Sequence, residues 1–204
     1  PMWNLFSKKW ERNRYMPKFN TIPALMNSIC LFLPNIFINK FYNTDISGFY
    51  SLTFIVLNIP IVFIGKALSD IFIQRFSEQK NSNVYVLKDF FRVSKILFII
   101  SILMIVTFSI GGPFLFRIIF GYQWEISGEY AQIFVWLAAI RLIVSPFNIV
   151  FVVFNRVKLF ALWQFGFFVA TLSLYLFNYL EVKHFMILIV VINSMFYILN
   201  YFLI

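Results

Sequence analysis

Six stretches of this chain are long and apolar enough to cross a bilayer, and that limits its fold more than any other feature. A helix needs about 20 apolar residues to span roughly 30 Å of hydrocarbon. The sequence predicts spans over about 20–39, 46–73, 94–116, 130–154, 159–180 and 185–204. No charged side chain occurs in 20–39, 96–116, 159–180 or 185–204. The runs are continuously apolar and lack the period-two alternation of a barrel strand. The expected fold is therefore all-α, a polytopic membrane protein. Composition agrees: 61% of residues are hydrophobic and 12% charged, against about 45–50% and 25% in a soluble domain. A water-soluble globule is excluded because polar side chains are too few to cover it.

The net charge of +9 reports topology, not nucleic-acid binding, because the charges fall between the apolar runs. Lys8, Lys9, Arg12, Arg14 and Lys18 precede the first span; Arg75, Lys80, Lys88, Arg92 and Lys95 lie between spans two and three. Arg156 and Lys158 follow span four, which brings that side to 12 basic residues. The opposite side holds Lys40, Arg117 and Lys183. By the positive-inside rule both termini face the cytoplasm, and an even number of spans agrees. Residues 1–19 form a basic arm in which Trp3, Phe6 and Trp10 recur at helical spacing. An amphipathic segment in the headgroup layer and an ordinary juxtamembrane linker both fit it. Pro1 in first position fits initiator removal and fits a piece of a longer protein.

Pro34, Pro60 and Pro146 lie inside spans, where each removes a backbone hydrogen bond; Pro60 and Pro146 are the candidate hinges. Pro113, after Gly111 and Gly112, is expected to end the third span. Ser127, ahead of Gly128 and Glu129, reads as a helix N-cap, and Trp124 as an interfacial anchor.

Arg141 is the sharpest functional candidate. A guanidinium in mid-span is costly and normally faces a bundle interior or a watery cavity. It suits a phosphate, which it can grip with two parallel hydrogen bonds; an ion pair, or a cap on the carbonyl freed by Pro146, is the structural alternative. Lys66 and Asp70 are four apart and share a helix face. They fit a snorkelling lysine with a partner, or a cationic cavity lining in which Asp70 tunes charge or relays a proton. Glu125, Glu129 and His184 read as solvated loop groups. One cysteine, Cys30, and one histidine make no metal site, and no cofactor motif or catalytic constellation is present.

Several ordered segments resemble bacterial polysaccharide flippases of the O-antigen and capsule type. Tyr15 to Asn20, Pro23, Leu25, Asn27 and Leu33-Pro34 resemble the entry to their seventh helix. Gly48-Phe49-Tyr50, Pro60, Ile64-Gly65-Lys66-Ala67 and Phe72 resemble the next one. Phe120-Gly121-Tyr122-Gln123-Trp124, Gly128-Glu129-Tyr130 and Ser145-Pro146 follow in the family's order. The resemblance implies a transporter related to the multidrug and toxin extrusion proteins, with two six-helix lobes around a central cavity, and no enzymatic activity. It implies a polyprenyl-diphosphate-linked oligosaccharide as substrate, drawn to cationic residues such as Lys66 and Arg141, in the bacterial cytoplasmic membrane. The six spans correspond to the second lobe, so an N-terminal six-helix lobe is expected as a partner, in this or another chain. A cation-coupled drug exporter would instead need acids in mid-membrane, and a polysaccharide polymerase or acyltransferase would need larger loops with catalytic groups.

Overall fold

The computed structural model describes residues 23, 25–78, 83–154 and 156–204, and the side chains at 69–89, 152 and 153 lie outside that description. So does the whole of the basic arm 1–19. The described residues are all-helical, in the order α1 (Leu25–Phe41), α2 (Thr44–Glu78), α3 (Asn83–Phe120), α4 (Glu125–Val144), α5 (Ile149–Val153), α6 (Val157–Ser173) and α7 (Val182–Leu203). Short 3₁₀ turns at Ser145–Asn148 and Leu174–Phe177 continue α4 into α5 and extend α6. The membrane-length segments are Thr44–Leu68, Phe90–Phe120, Tyr122–Phe151, Val157–Phe177 and Val182–Leu203, with α1 shorter. The chain is thus a multi-pass membrane protein. Its outer surface carries large apolar side chains such as Phe63, Ile110 and Phe202, each at least 74% exposed. Lipid is the solvent that such a surface fits.

Helix α4 is the axis of the bundle, and α2, α3 and α7 pack around it. It buries Ala131, Val135, Ala139 and Leu142 almost completely. Its tightest neighbour is α3. A Cβ on Gly128 would lie 2.4 Å from the Pro113 Cα, and one on Gly112 would lie 2.6 Å from the Gly128 carbonyl oxygen. Only glycine lets the two backbones meet so closely.

That crossing corrects the reading of Pro113, because α3 continues through it to Phe120. A proline frees the carbonyl four residues earlier, here that of Ser109. Gln132 on α4 supplies the missing donor, its Nε2 lying 2.8 Å from the Ser109 oxygen. With that acceptor satisfied, the helix has no reason to stop in lipid. It ends instead at Gly121, whose φ of 103° and ψ of 165° belong to a region essentially reserved for glycine.

The reading of Ser127 is also corrected. The turn Tyr122–Trp124 starts α4 earlier, with Trp124 at the N-cap. Ser127 is buried, and its carbonyl accepts a 2.7 Å bond from the Thr53 hydroxyl of α2. A small residue is needed there because α2 and α4 cross at that point. Trp124 itself packs edge-on against Phe49 at 5.8 Å.

The same end of the bundle is tied by polar contacts. Arg117 faces Glu125 at 4.0 Å and Lys183 faces Glu129 at 3.5 Å. Lys40 donates to the Tyr175 hydroxyl at 3.0 Å, and the Tyr42 hydroxyl donates to the Leu180 carbonyl at 2.8 Å. Burial pushes the Tyr42 phenol above its ordinary range, so it remains a donor at any physiological pH.

Candidate functional site

Arg141 stands in the last turn of α4, just before the Ser145–Asn148 turn. Its side chain is half-buried and points between α2 and α7. Nη2 donates to Asn58 Oδ1 at 3.2 Å. The guanidinium carbon lies 5.8 Å from the ring centroids of both Phe54 and Tyr197, within range of cation–π attraction. Nε is buried with no hydrogen-bond partner among the described residues. Among the described residues no carboxylate lies within ion-pair distance of it. The negative end of the α4 dipole offsets part of the charge.

The guanidinium borders a niche of about 40 Å³, which Tyr50, Asn58, Asn193 and Tyr197 also line. At about 10–15 Å³ per water centre, that is room for about three or four waters. Apolar residues, Phe134 and Leu137 among them, complete the wall. The site therefore combines a cation, amide groups and aromatic rings, with Asn193 Nδ2 fixed on the Ile189 carbonyl at 2.7 Å. Such a set can bind an anion at the mouth and solvate polar groups beside it. Among the described residues its lining holds no carboxylate or histidine.

The structure does not bring Lys66 to Arg141. Lys66 is exposed on α2, eight residues beyond Asn58, or about 12 Å along the helix, and it does not line the niche. The side chain of Asp70 lies outside the described residues, so its pairing with Lys66 stays an expectation. Pro60 leaves α2 continuous. Pro146 sits buried in the 3₁₀ turn that separates α4 from α5. Asn148 in that turn accepts a 2.7 Å bond from Asn200 Nδ2 on α7, which pins the interruption to the bundle. Glu125 and Glu129 hold the ion pairs given above, and His184 faces Glu181 at 3.6 Å. No group of three or more metal-ligating side chains occurs among the described residues.

Sequence reasoning missed Asn58, Asn193, Tyr50 and Tyr197. A search for charges passes over them. An amide inside an apolar run was the available signal, because in hydrocarbon it must find a partner across helices.

A family model described as polysaccharide biosynthesis protein matches residues 16–129, more than half of the chain. The chain belongs to that family. The match covers α1 to α3 and the start of α4, including Tyr50, Asn58 and Lys66, and ends before Arg141. The chain is also similar to the teichuronic acid biosynthesis protein TuaB of Bacillus subtilis (strain 168), with 23% identity over 176 residues. That alignment covers 80% of this chain but 36% of the relative, so the chain spans about a third of that protein's length. No solved structure matches. Membership in a polysaccharide biosynthesis family, with a multi-pass helical body, agrees with the resemblance read from the motifs.

Proposed function

We propose that this chain forms one lobe of a flippase that carries polyprenyl-diphosphate-linked oligosaccharide units across the bacterial cytoplasmic membrane, with both termini cytoplasmic. The observation that carries the reading is Arg141: a half-buried mid-span cation, facing a polar niche, with no carboxylate partner among the described residues. A fixed positive charge there lowers the cost of bringing a diphosphate into the membrane. The niche is too small for a sugar, so the anion meets the guanidinium at the mouth. The glycan then occupies a larger hollow shared with a second lobe, where hydroxyls that would each cost several kcal/mol unpaired find water. Lys66, exposed on the same helix as Asn58, is proposed to attract the diphosphate on its approach, with Asp70 setting its charge. Pro60 and the Pro146 turn are the proposed bending points for alternating access. The role is transport and not catalysis. The charge sign at Arg141 also disfavours a cation exporter.

The test is transfer of a lipid-linked repeat unit by the full-length protein. Arg141→Ala is expected to lower transfer about tenfold or more, the scale of a lost charged hydrogen bond. Arg141→Lys keeps the charge but loses the planar fork, and should fall between. Lys66→Ala should have a smaller effect that grows at low salt. Transfer unchanged in Arg141→Ala would overturn the assignment.

A further inference from the structure

A neighbouring stripe of α4, formed by Ile140, Ile143 and Val144, borders a second hollow of different character. A groove of about 510 Å³ runs between α3 and α7 with α4 as its floor. Phe91, Ser94 and Phe98 line it from α3, Ile143 from α4, and Ile198 and Phe202 from α7. Its wall is mostly apolar, and the polar groups on it are the Tyr201 phenol, Lys95 and Ser94. Lys95 lies on the same stripe of α3 as Phe91, Ser94 and Phe98, at i, i+3, i+4 and i+7 spacing. Ser94 is 8% exposed, and its hydroxyl has no hydrogen-bond partner among the described residues.

The level of Lys95 is informative. Lys95 and Arg117 bracket the uncharged stretch 96–116 of α3. Those 21 residues rise about 31 Å at 1.5 Å each, close to the thickness of the hydrocarbon core. Lys95 therefore stands at the boundary where phosphate groups begin, and exposed Arg92 is one turn further out on a neighbouring face.

We infer that this groove is a binding site for one anionic glycerophospholipid of the bilayer. An acyl chain fills the cleft against Phe98, Ile143 and Ile198. The phosphate rests on Lys95, with Arg92 beside it, and the Ser94 hydroxyl has an ester or phosphate oxygen to donate to. The occupant is a membrane lipid and not the tail of a transported glycolipid, because this groove shares no lining residue with the Arg141 niche. The inference is independent of the flippase reading, since it concerns a resident lipid that wedges α3 and α7 on opposite flanks of α4.

The experiment is native mass spectrometry of the full-length protein after equilibration with mixed phosphatidylglycerol and phosphatidylcholine vesicles. The wild type is expected to retain one phosphatidylglycerol in preference to phosphatidylcholine. A juxtamembrane cation changes affinity for an anionic surface by about fivefold, so Lys95→Gln should lower the preference by about that factor and Lys95→Arg should keep it. Ile143→Trp fills the cleft and should abolish retention of either lipid, whereas Ile110→Trp on the open lipid face of α3 should change nothing. Retention that is the same in Lys95→Gln and Ile143→Trp as in the wild type would overturn the proposal. So would a polyprenyl phosphate, or a second copy of the protein, in place of the phospholipid when the protein is taken directly from native membranes.

Discussion

Helices α3 and α4 sit side by side, joined by a turn of a few residues, and they solve opposite problems. The most apolar window of α3 is 17% buried in the bundle, and that of α4 is 56% buried. Yet α3 is the more hydrophobic of the two. In water the greasier helix would go inside. In a bilayer lipid is as apolar as leucine, so apolar surface gains little by being covered. Close packing and polar contact select the inner helix instead. Accordingly α4 carries Ser127, Gly128, Ala131, Gln132, Ala138, Ala139 and Arg141, while α3 turns Ile110, Phe114 and Ile118 outward.

Three substitutions probe this contrast, in falling order of effect. The largest belongs to Gly128. Gly128→Leu drives a side chain into the backbone of α3 at Pro113, and overpacking of this kind costs about 1–3 kcal/mol or more. Loss of folded protein in detergent, read by gel filtration and thermal melting, is the expected result. A folded, monodisperse Gly128→Leu protein would show that the crossing is looser than described. Gln132→Leu is intermediate. It removes the donor to the Ser109 carbonyl, and interhelical polar contacts in membranes are worth about 0.6 kcal/mol, up to roughly 1.7. A modest fall in melting temperature is expected, together with faster hydrogen exchange around residues 109–113. The smallest effect is that of Ile110→Ala. Ile110 is 80% exposed, so stability should change by less than about 0.5 kcal/mol. A large loss there would mean that another helix covers this face of α3 in the assembled protein.

The contrast also explains what could be read from the chain alone. The spans were legible because the hydrocarbon thickness fixes how many uncharged residues must run together, and 96–116 falls within Phe90–Phe120. The continuation of α3 past Pro113 was not legible from the proline itself. It depends on Gln132, nineteen residues away in sequence, whose donor replaces the lost one. Gly112 did announce something, but close approach to a neighbour and not an end. Ser127 misled for a related reason: a serine ahead of an acidic turn fits a cap, and it also fits a crowded helix crossing. Arg141 was found because its charge stands out in an apolar run. Asn58 and Asn193, its companions, were passed over because they are neutral. Lys66 shows the limit of one-dimensional reading, since depth along a helix does not say which way a side chain faces.

The contact of Gly112 with Gly128 has one more consequence. Two backbones that touch, with Gln132 latched to one carbonyl above and Arg117 on Glu125 at the end, cannot slide or splay without separating completely. The α3–α4 hairpin therefore moves as a single lever, and because Arg141 lies on it, any displacement of α3 at the membrane surface is delivered undamped to that charge.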